Sequence, residues 1–284
     1  MSKIALVTDS TAYIPTGLSD QYGISVVPLV LIWGEKTYED GVDIQPEEFY
    51  TRLKTAKTMP TTSQVSVVAM RDTFGRLVDR GSEVLGVFIS GKLSGTVQSA
   101  IQAREELGGA GEKITIIDGN ACAMALGFQV LAAARAVQGG ASVRECAELV
   151  ERSRDHVGVY FAVDTLEFLH RGGRIGGAQR FIGSALNLKP ILALKDGRVE
   201  AEDRVRTKSK ALDRVLELVA TQVKGKTNIR LATVHANAET EAQQLLDRAS
   251  RELGAIESVL AAVSPVVGAH AGPGTVGLAY MAGM

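Results

Sequence analysis

The chain has 284 residues and a mass of 30.1 kDa, which at roughly 150 residues per domain corresponds to about two domains. Lysine and arginine number 31 and aspartate and glutamate 32, so the formal net charge is −1. This balance lacks the broad positive field of proteins that bind nucleic acid, and it argues against that class. Hydrophobic residues make up 45% of the chain and charged residues 22%, which excludes a disordered or fibrous protein.

Short apolar runs alternate with longer amphipathic ones along the chain, a pattern typical of strands joined by crossover helices. We therefore predict an α/β fold. The predicted strands are residues 4–8, 25–32, 84–89, 114–117, 157–163, 190–194, 230–235 and 258–263. The predicted helices are residues 46–55, 65–79, 96–107, 121–137, 143–154, 178–185, 208–223 and 239–253.

Several element ends have a local cause in the sequence. Ser142 and Glu145 are three residues apart, as in a capping box at a helix N-terminus. Gly81 and Gly254 fall where helices should end with a left-handed residue. The dipeptide Asp196-Gly197 tolerates positive φ, so it predicts a hairpin between antiparallel strands.

The hairpin would interrupt a parallel succession of strands, so we predict a change of architecture near residue 155. The expected fold has an N-terminal domain with a parallel sheet over residues 1–155. A second α/β domain with a mixed sheet follows over residues 156–270. The C-terminal segment, about 271–284, is expected to return to the first domain.

The sequence predicts a cytoplasmic protein. Cys122 and Cys146 are too few for a disulfide framework, which favours a reducing compartment. The N-terminus has a run of only four apolar residues before Asp9, fewer than the roughly 7–15 of a secretion signal. Residues 258–284 contain no charge, but prolines and glycines would break a spanning helix, so we expect buried strands and a ligand loop there.

Four segments that are dense in hydroxyl groups or glycine are candidate ligand loops. Two of them directly follow predicted strands, at the carboxyl ends where open α/β sheets build their ligand crevices. Ser94 precedes a predicted helix and its unpaired N–H groups, a position that suits a carboxylate or phosphate, although it could instead only cap the helix. The segments are 8–11 (TDST), 60–64 (PTTSQ), 90–96 (SGKLSGT) and 268–275 (GAHAGPGT).

Two glycine patterns resemble nucleotide-binding signatures without completing them. Gly86 precedes Gly91-Lys92 as in a Walker A loop, but Leu93 replaces the hydroxyl residue that binds magnesium. Residues 272–277 spell G-x-G-x-x-G, yet the helix, strand and acidic residue of a dinucleotide fold cannot follow them. A nucleotide site is therefore not predicted.

His270 lies between two glycines, and we expect it on a flexible loop, where it either contacts a ligand or is structural. No second histidine stands at metal-ligand spacing, so no metal site is predicted. A G-x-S-x-G elbow is missing, and no catalytic residue is predicted.

A basic glycine loop, HRGGRIGG, occupies residues 170–177. Its arginines, Arg171 and Arg174, could clamp a carboxylate or phosphate or bind an acidic partner. A solvated loop with no ligand is the alternative.

Taken together, these motifs resemble the DegV family, whose better-understood members are the fatty-acid-binding subunits of bacterial fatty acid kinase. The resemblance extends over about residues 3–282. One departure is Val65, where the family usually has proline after Ser-Gln. The motifs that carry the resemblance, in order, are 7–11 (VTDST), 62–64 (TSQ), 93–96 (LSGT), 169–175 (LHRGGRI), 188–192 (LKPIL) and 268–275 (GAHAGPGT).

The resemblance implies a two-domain protein that holds a long-chain fatty acid between its domains, with no cofactor. The carboxylate would be bound by Thr62 and Ser94 with His270 nearby, and Ser63 and Gly95 would complete the site. Arg171 would join this polar network or face the kinase.

The leading hypothesis is that the protein presents the fatty acid to a separate kinase subunit, which phosphorylates the carboxylate to an acyl phosphate. A transient membrane contact would load the ligand. The first alternative is an autonomous small-molecule kinase that uses the Gly91-Lys92 loop. The second is a lipid storage or sensing protein without a kinase partner.

Overall fold

The computed structural model describes residues 3–183 and 188–284. Strands and helices alternate through this part of the chain. The strands are β1 (Lys3–Asp9), β2 (Ser25–Val27), β3 (Val30–Trp33), β4 (Lys36–Glu39), β5 (Thr61–Ser63), β6 (Ser82–Phe88), β7 (Ile114–Asp118), β8 (Val157–Ala162), β9 (Lys189–Lys195), β10 (Arg198–Val205), β11 (Arg230–His235), β12 (Glu257–Ala262) and β13 (Val276–Met281).

The α-helices are α1 (Thr16–Tyr22), α2 (Pro46–Leu53), α3 (Val67–Asp79), α4 (Thr96–Glu106), α5 (Ala123–Gln138), α6 (Val143–Ser153), α7 (Glu167–Arg171), α8 (Lys208–Val223), α9 (Glu239–Leu253) and α10 (Pro265–Ala271). Short 3-10 helices cover Ser10–Ala12, Gly108–Lys113 and Gly176–Phe181.

The strands form three sheets within the described ranges. The parallel sheet has the order β2-β1-β6-β7. The mixed sheet has the order β10-β9-β8-β13-β11-β12, in which β11 and β12 are parallel and the other neighbours antiparallel. The small sheet, β4-β3-β5, is antiparallel. The prediction of an α/β fold with one parallel and one mixed sheet is confirmed.

Helix α5 connects the two large sheets. It packs against β1 and β6 of the parallel sheet and against β8, β11 and β13 of the mixed sheet. Its sequence is apolar on nearly every face, and Phe128 near its middle is fully buried. A helix that is hydrophobic all round belongs between two layers. One hydrophobic cluster therefore extends through both sheets, and the division of the chain near residue 155 stays a prediction.

The expectation that residues 271–284 return to the first domain is wrong. Strand β13 lies inside the mixed sheet and pairs antiparallel with β8 on one side and β11 on the other. All six of its residues are buried. A continuous apolar run of this kind suits a strand that is covered on both faces. This buried position explains why the segment contains no charged residues.

The predicted local signals for turns and caps are confirmed. Asp196 and Gly197 have φ values of 47° and 71° and join antiparallel β9 and β10. Both hydrogen bonds of the capping box at Ser142 are present. Gly81 and Gly254 have positive φ values, 82° and 65°.

Other predicted elements need correction. Predicted strand 25–32 is two strands in different sheets, because Pro28 has no N–H group to continue a ladder. The predicted helix 178–185 is, in its described part, the end of a 3-10 helix whose last residue is Phe181. Residues 184–185 lie outside the described ranges.

Candidate functional site

A mostly apolar cavity of about 140 Å³ lies between elements of the parallel, small and mixed sheets. Since one buried water needs roughly 10–15 Å³ of such space, the cavity can hold a ligand much larger than a water molecule. Its apolar lining comprises Leu29, Ile89, Leu93, Ala123, Val159, Phe161, Leu169, Leu194, Val199, Val234, Val263, Val266, Val267 and Ala271. The polar lining comprises Thr11, Tyr13, Thr62, Ser63, Gln64, Ser94, Cys122, Arg174, His270 and Thr275.

Thr62 and His270 meet at the polar end of this cavity, although 208 residues separate them in sequence. Thr62 Oγ1 lies 2.8 Å from His270 Nε2. Thr62 belongs to β5, a three-residue strand held in place by pairing with β3, where Thr62 is opposite the buried Leu31. The structure therefore joins two of the residues that the resemblance assigned to one site.

The expectation that His270 lies on a loop is wrong, because it occupies the last turn of helix α10. Pro265 begins that helix, at a position where proline is favoured. Gly268, in the middle of the helix, made the segment look like a loop. Its hydrogen is required by packing, since a Cβ there would stand 2.3 Å from the Tyr50 hydroxyl.

The surroundings of His270 keep its imidazole neutral. Burial, aided by the positive charge of Arg174, lowers the pKa of His270 to about 4. Nδ1 is buried next to Gly172 and has no hydrogen-bond partner among the residues that the structure describes. A buried N–H without an acceptor is rarer than an unpaired acceptor, so we assign the proton to Nε2. Nε2–H then donates to Thr62 Oγ1, and the Thr62 hydroxyl hydrogen is free to donate to a ligand.

Ser94 lies immediately before helix α4, as predicted, and it lines the cavity. The N-cap position itself belongs to Gly95. Ser94 Oγ is 2.9 Å from Thr96 Oγ1 and accepts from the Thr96 N–H at 3.3 Å. Gly95 packs closely against Gln64, since a Cβ at residue 95 would lie 3.0 Å from the Gln64 side chain.

Of the two arginines of the basic loop, Arg174 lines the cavity and Arg171 does not. Arg174 Nε donates to the Leu93 carbonyl at 3.0 Å, which holds it next to Ser94. Arg171 forms an ion pair with Glu167 at 2.7 Å, and 60% of its side chain is exposed. The motif itself indicates both arginines and cannot distinguish them, and the resemblance implied a role for Arg171 alone.

The Gly91-Lys92 loop has its donors engaged within the protein. Lys92 Nζ donates to the Asp196 carbonyl at 2.6 Å, and the Gly91 N–H donates to Asp118 at 3.0 Å. Both groups that a phosphate would need in a Walker-type loop therefore contact other parts of the chain.

Two further findings concern the described residues only. No three histidine, cysteine or acidic side chains in these ranges are arranged to hold a metal ion. None of the helices in them is long and apolar enough to cross a membrane.

We expect His270 to make the free protein less stable as pH falls from about 6.5 to about 4. Its ordinary pKa is 6.5 and its folded value about 4. In this window the unfolded chain binds more protons than the folded one, so the free energy of unfolding decreases as the pH decreases. Urea unfolding of the protein and of His270→Gln across the window measures this effect.

The variant isolates the contribution of one residue. Burial raises the pKa values of Asp9 and Asp40, which act in the opposite direction, but both remain in the His270→Gln protein. The difference in unfolding free energy between the two proteins should change between pH 6.5 and 4. A difference that stays constant with pH would show that His270 titrates normally.

Comparison with known proteins identifies the family. A family model described as an uncharacterised protein of the DegV family matches residues 3–283. This chain belongs to the DegV family. A DegV domain-containing protein of Streptomyces coelicolor is 37% identical over 277 residues, 97% of each chain. One from Halalkalibacterium halodurans is 36% identical over 281 residues, 99% of each chain.

Solved DegV structures share the whole fold. A DegV-family protein of Thermus thermophilus, described for its fatty acid binding, is 37% identical with a TM-score of 0.93 over 99% of each chain. DegV of Bacillus subtilis, described as a fatty acid binding protein, is 31% identical with a TM-score of 0.89 over 99% of this chain and 100% of that one. The resemblance deduced from the motifs is confirmed.

Proposed function

We propose that this DegV protein binds a long-chain fatty acid in the cavity and presents its carboxylate to a separate kinase subunit. The observation that carries the proposal is an apolar cavity lined by Thr62, Ser94 and His270, in which Thr62 and His270 are in contact. Relatives described as fatty acid binding, with the same fold along the whole chain, support the ligand class.

The polar end suits a carboxylate in number and kind of donors. A carboxylate offers about four lone-pair sites. The Thr62 and Ser94 hydroxyls can donate to it, and the exposed Arg174 supplies a positive charge at the same end. Ser63 and Gln64 are also exposed there, so the headgroup would lie near the surface while the tail lies among apolar residues.

The tail would supply most of the affinity. A sixteen-carbon fatty acid has fourteen methylenes, and at ~0.8 kcal/mol each their burial gives a gross gain of about 11 kcal/mol. Association and ordering offset roughly 4–15 kcal/mol of this gain, so contacts to the carboxylate also contribute to the net affinity.

The kinase step needs a partner in this proposal. One carboxylate oxygen attacks the γ-phosphorus of ATP, an acyl phosphate forms, and ADP leaves. The Gly91-Lys92 loop has its donors engaged, which disfavours the alternative of an autonomous kinase. The exposed Arg171, which forms an ion pair with its helix neighbour Glu167, is a candidate contact for the kinase subunit. A lipid storage or sensing role without a kinase remains the second candidate, supported by the same cavity.

Native mass spectrometry of the purified protein tests the ligand. A bound mass equal to one fatty acid is expected, and a protein that stays empty when offered palmitate or oleate would contradict the proposal. ATP turnover that requires both fatty acid and an added kinase subunit supports presentation. Turnover by the isolated chain would favour an autonomous kinase, and no turnover with any kinase subunit of the host would favour storage.

Replacing the hydroxyls should weaken fatty acid binding without unfolding the protein. Hydrogen bonds to charged groups contribute about 1.5–3 kcal/mol, so Thr62→Val and Ser94→Ala should each lower affinity about 10- to 150-fold. Isothermal titration with palmitate measures this. Thr61→Val is the matched control, because Thr61 is exposed on the same strand and outside the cavity. Unchanged affinity in both variants would remove these residues from the site.

A further inference from the structure

A chain of polar groups leads from the end of β1 to the start of helix α10. Ser10, from the first hydroxyl-rich segment, donates from Oγ to Asp40 Oδ2 at 2.7 Å. Asp40 Oδ1 accepts the Val266 N–H at 3.1 Å. Asp40 is only 2% exposed, although it is an acid. Acids are rarely buried unless they are well paired, so the hydrogen bonds that Asp40 makes indicate its role.

Helix α10 has no N-terminal cap of its own. Ser264 occupies the N-cap position but makes no capping hydrogen bond, and its Oγ lies 3.3 Å from the Tyr13 hydroxyl. Pro265 has no N–H, so Val266 supplies the first backbone donor of the helix. Asp40, 226 residues away in sequence, accepts that donor and acts as the cap.

Val266, whose N–H Asp40 accepts, lines the same cavity as His270. His270 follows Val266 by four residues, which is about one helical turn. Helix α10 has seven residues, so its own hydrogen bonds give it little stability, and the packing of its buried residues together with the contacts at its ends fixes its position. A shift of about 1 Å would break the 2.8 Å contact between His270 and Thr62.

We propose that Asp40 is a positioning residue for the acid-binding end of the cavity: its carboxylate caps helix α10 and thereby holds His270 against Thr62. Ser10 orients the carboxylate, so this residue of the first hydroxyl-rich segment has a role that does not involve touching the ligand. This inference rests on the proposed fatty acid binding, because it concerns the same cavity.

The test compares two ligands with one tail, palmitate and hexadecanol. Displacement of His270 from Thr62 weakens recognition of the carboxylate but does not weaken burial of the tail. Asp40→Ala should therefore lower the palmitate-to-hexadecanol affinity ratio at least 5-fold. Asp40→Asn keeps an oxygen that can accept from Val266 and should retain most of the ratio, and Ser10→Ala should fall between them.

Ser142→Ala is the matched control, because it removes the cap of helix α6, whose residues are not part of the cavity lining. It should leave the ratio unchanged while losing stability. Equal loss of both affinities in Asp40→Ala, or an unchanged ratio in a folded Asp40→Ala, would overturn the proposal. If Asp40→Ala does not fold, Ser10→Ala decides by the same criterion.

Imidazole ¹⁵N spectra of the ligand-free protein separate this inference from the proposed function. The His270 resonance, assigned with His270→Gln, should move in Asp40→Ala and Ser10→Ala and stay in place in Ser142→Ala. Palmitate that does not bind the unaltered protein would refute the proposed function alone. A His270 resonance that stays in place in both Asp40→Ala and Ser10→Ala would refute the role of Asp40.

Discussion

Leu194→Trp should reduce fatty acid affinity about 100-fold or more while the protein stays folded. Leu194 lies on β9, is only partly buried and lines the cavity, so a larger ring there would fill space that the tail needs. If the indole displaces about four methylenes at ~0.8 kcal/mol each, the loss is about 3 kcal/mol, which corresponds to more than 100-fold. Titration with palmitate, together with thermal unfolding, measures both effects.

The opposite substitution is the control for this prediction. Leu194→Ala leaves the cavity open and should change affinity much less than the tryptophan variant, even though it removes an apolar contact. Full palmitate affinity in a folded Leu194→Trp protein would mean that the tail does not use this cavity.

The strand and turn signals of the sequence predict the local position of Ser94. Ser94 was expected just before a helix that follows a buried strand, and it lies there. Such signals are local, since apolar runs, hydroxyls and glycines act through neighbouring backbone groups. They could not bring Thr62 and His270 together, because that contact depends on the small sheet and on helix α10.

The small sheet and helix α10 were missed for a physical reason. Strand β5 has three residues with alternating exposure and little apolar character, so its pairing with β3 stabilises it more than its own sequence does. Helix α10 contains a glycine and depends on Asp40 for its cap. Elements whose stability comes from distant partners leave only a weak pattern in the sequence.

The arginine loop shows the limit of motif reasoning. The resemblance implied that Arg171 joins the polar network or faces the kinase; in the structure Arg174 lines the cavity and Arg171 pairs with Glu167. The two side chains are chemically identical, and only the path of the backbone after α7 distinguishes them.

The Gly91-Lys92 loop, which resembled a phosphate loop in sequence, connects the two large sheets in the structure. Lys92 Nζ donates to the Asp196 carbonyl, and Ser90 Oγ donates to the Gly197 carbonyl at 3.0 Å. Asp196 and Gly197 form the hairpin turn between β9 and β10, whose side chains Leu194 and Val199 line the cavity. The same loop continues to Ser94, so this contact joins the headgroup side of the cavity to its apolar wall.

Gly197→Ala should therefore destabilise the protein by about 1.5–3.5 kcal/mol. A left-handed conformation costs a residue with a Cβ roughly 1–2 kcal/mol, and a disrupted hydrogen bond about 0.5–1.5 kcal/mol more. Gly197 has a φ of 71°, and an added Cβ would stand 2.1 Å from Ser90 Oγ and 2.4 Å from Asn120 Oδ1. The turn must move away from the loop or lose its conformation. Urea unfolding measures the change in free energy, and palmitate titration should show weaker binding as well.

Gly225→Ala separates backbone strain from the close approach. Gly225 also has a positive φ, 75°, but nothing lies within 4 Å of an added Cβ there. The Gly225→Ala protein should lose only roughly 1–2 kcal/mol in free energy of unfolding, the cost of the left-handed conformation, and should keep its palmitate affinity. The difference between the two variants measures how much the contact between the turn and the Ser90 loop stabilises the fold. Equal destabilisation, with palmitate binding unchanged in both, would mean that this contact does not hold the cavity closed.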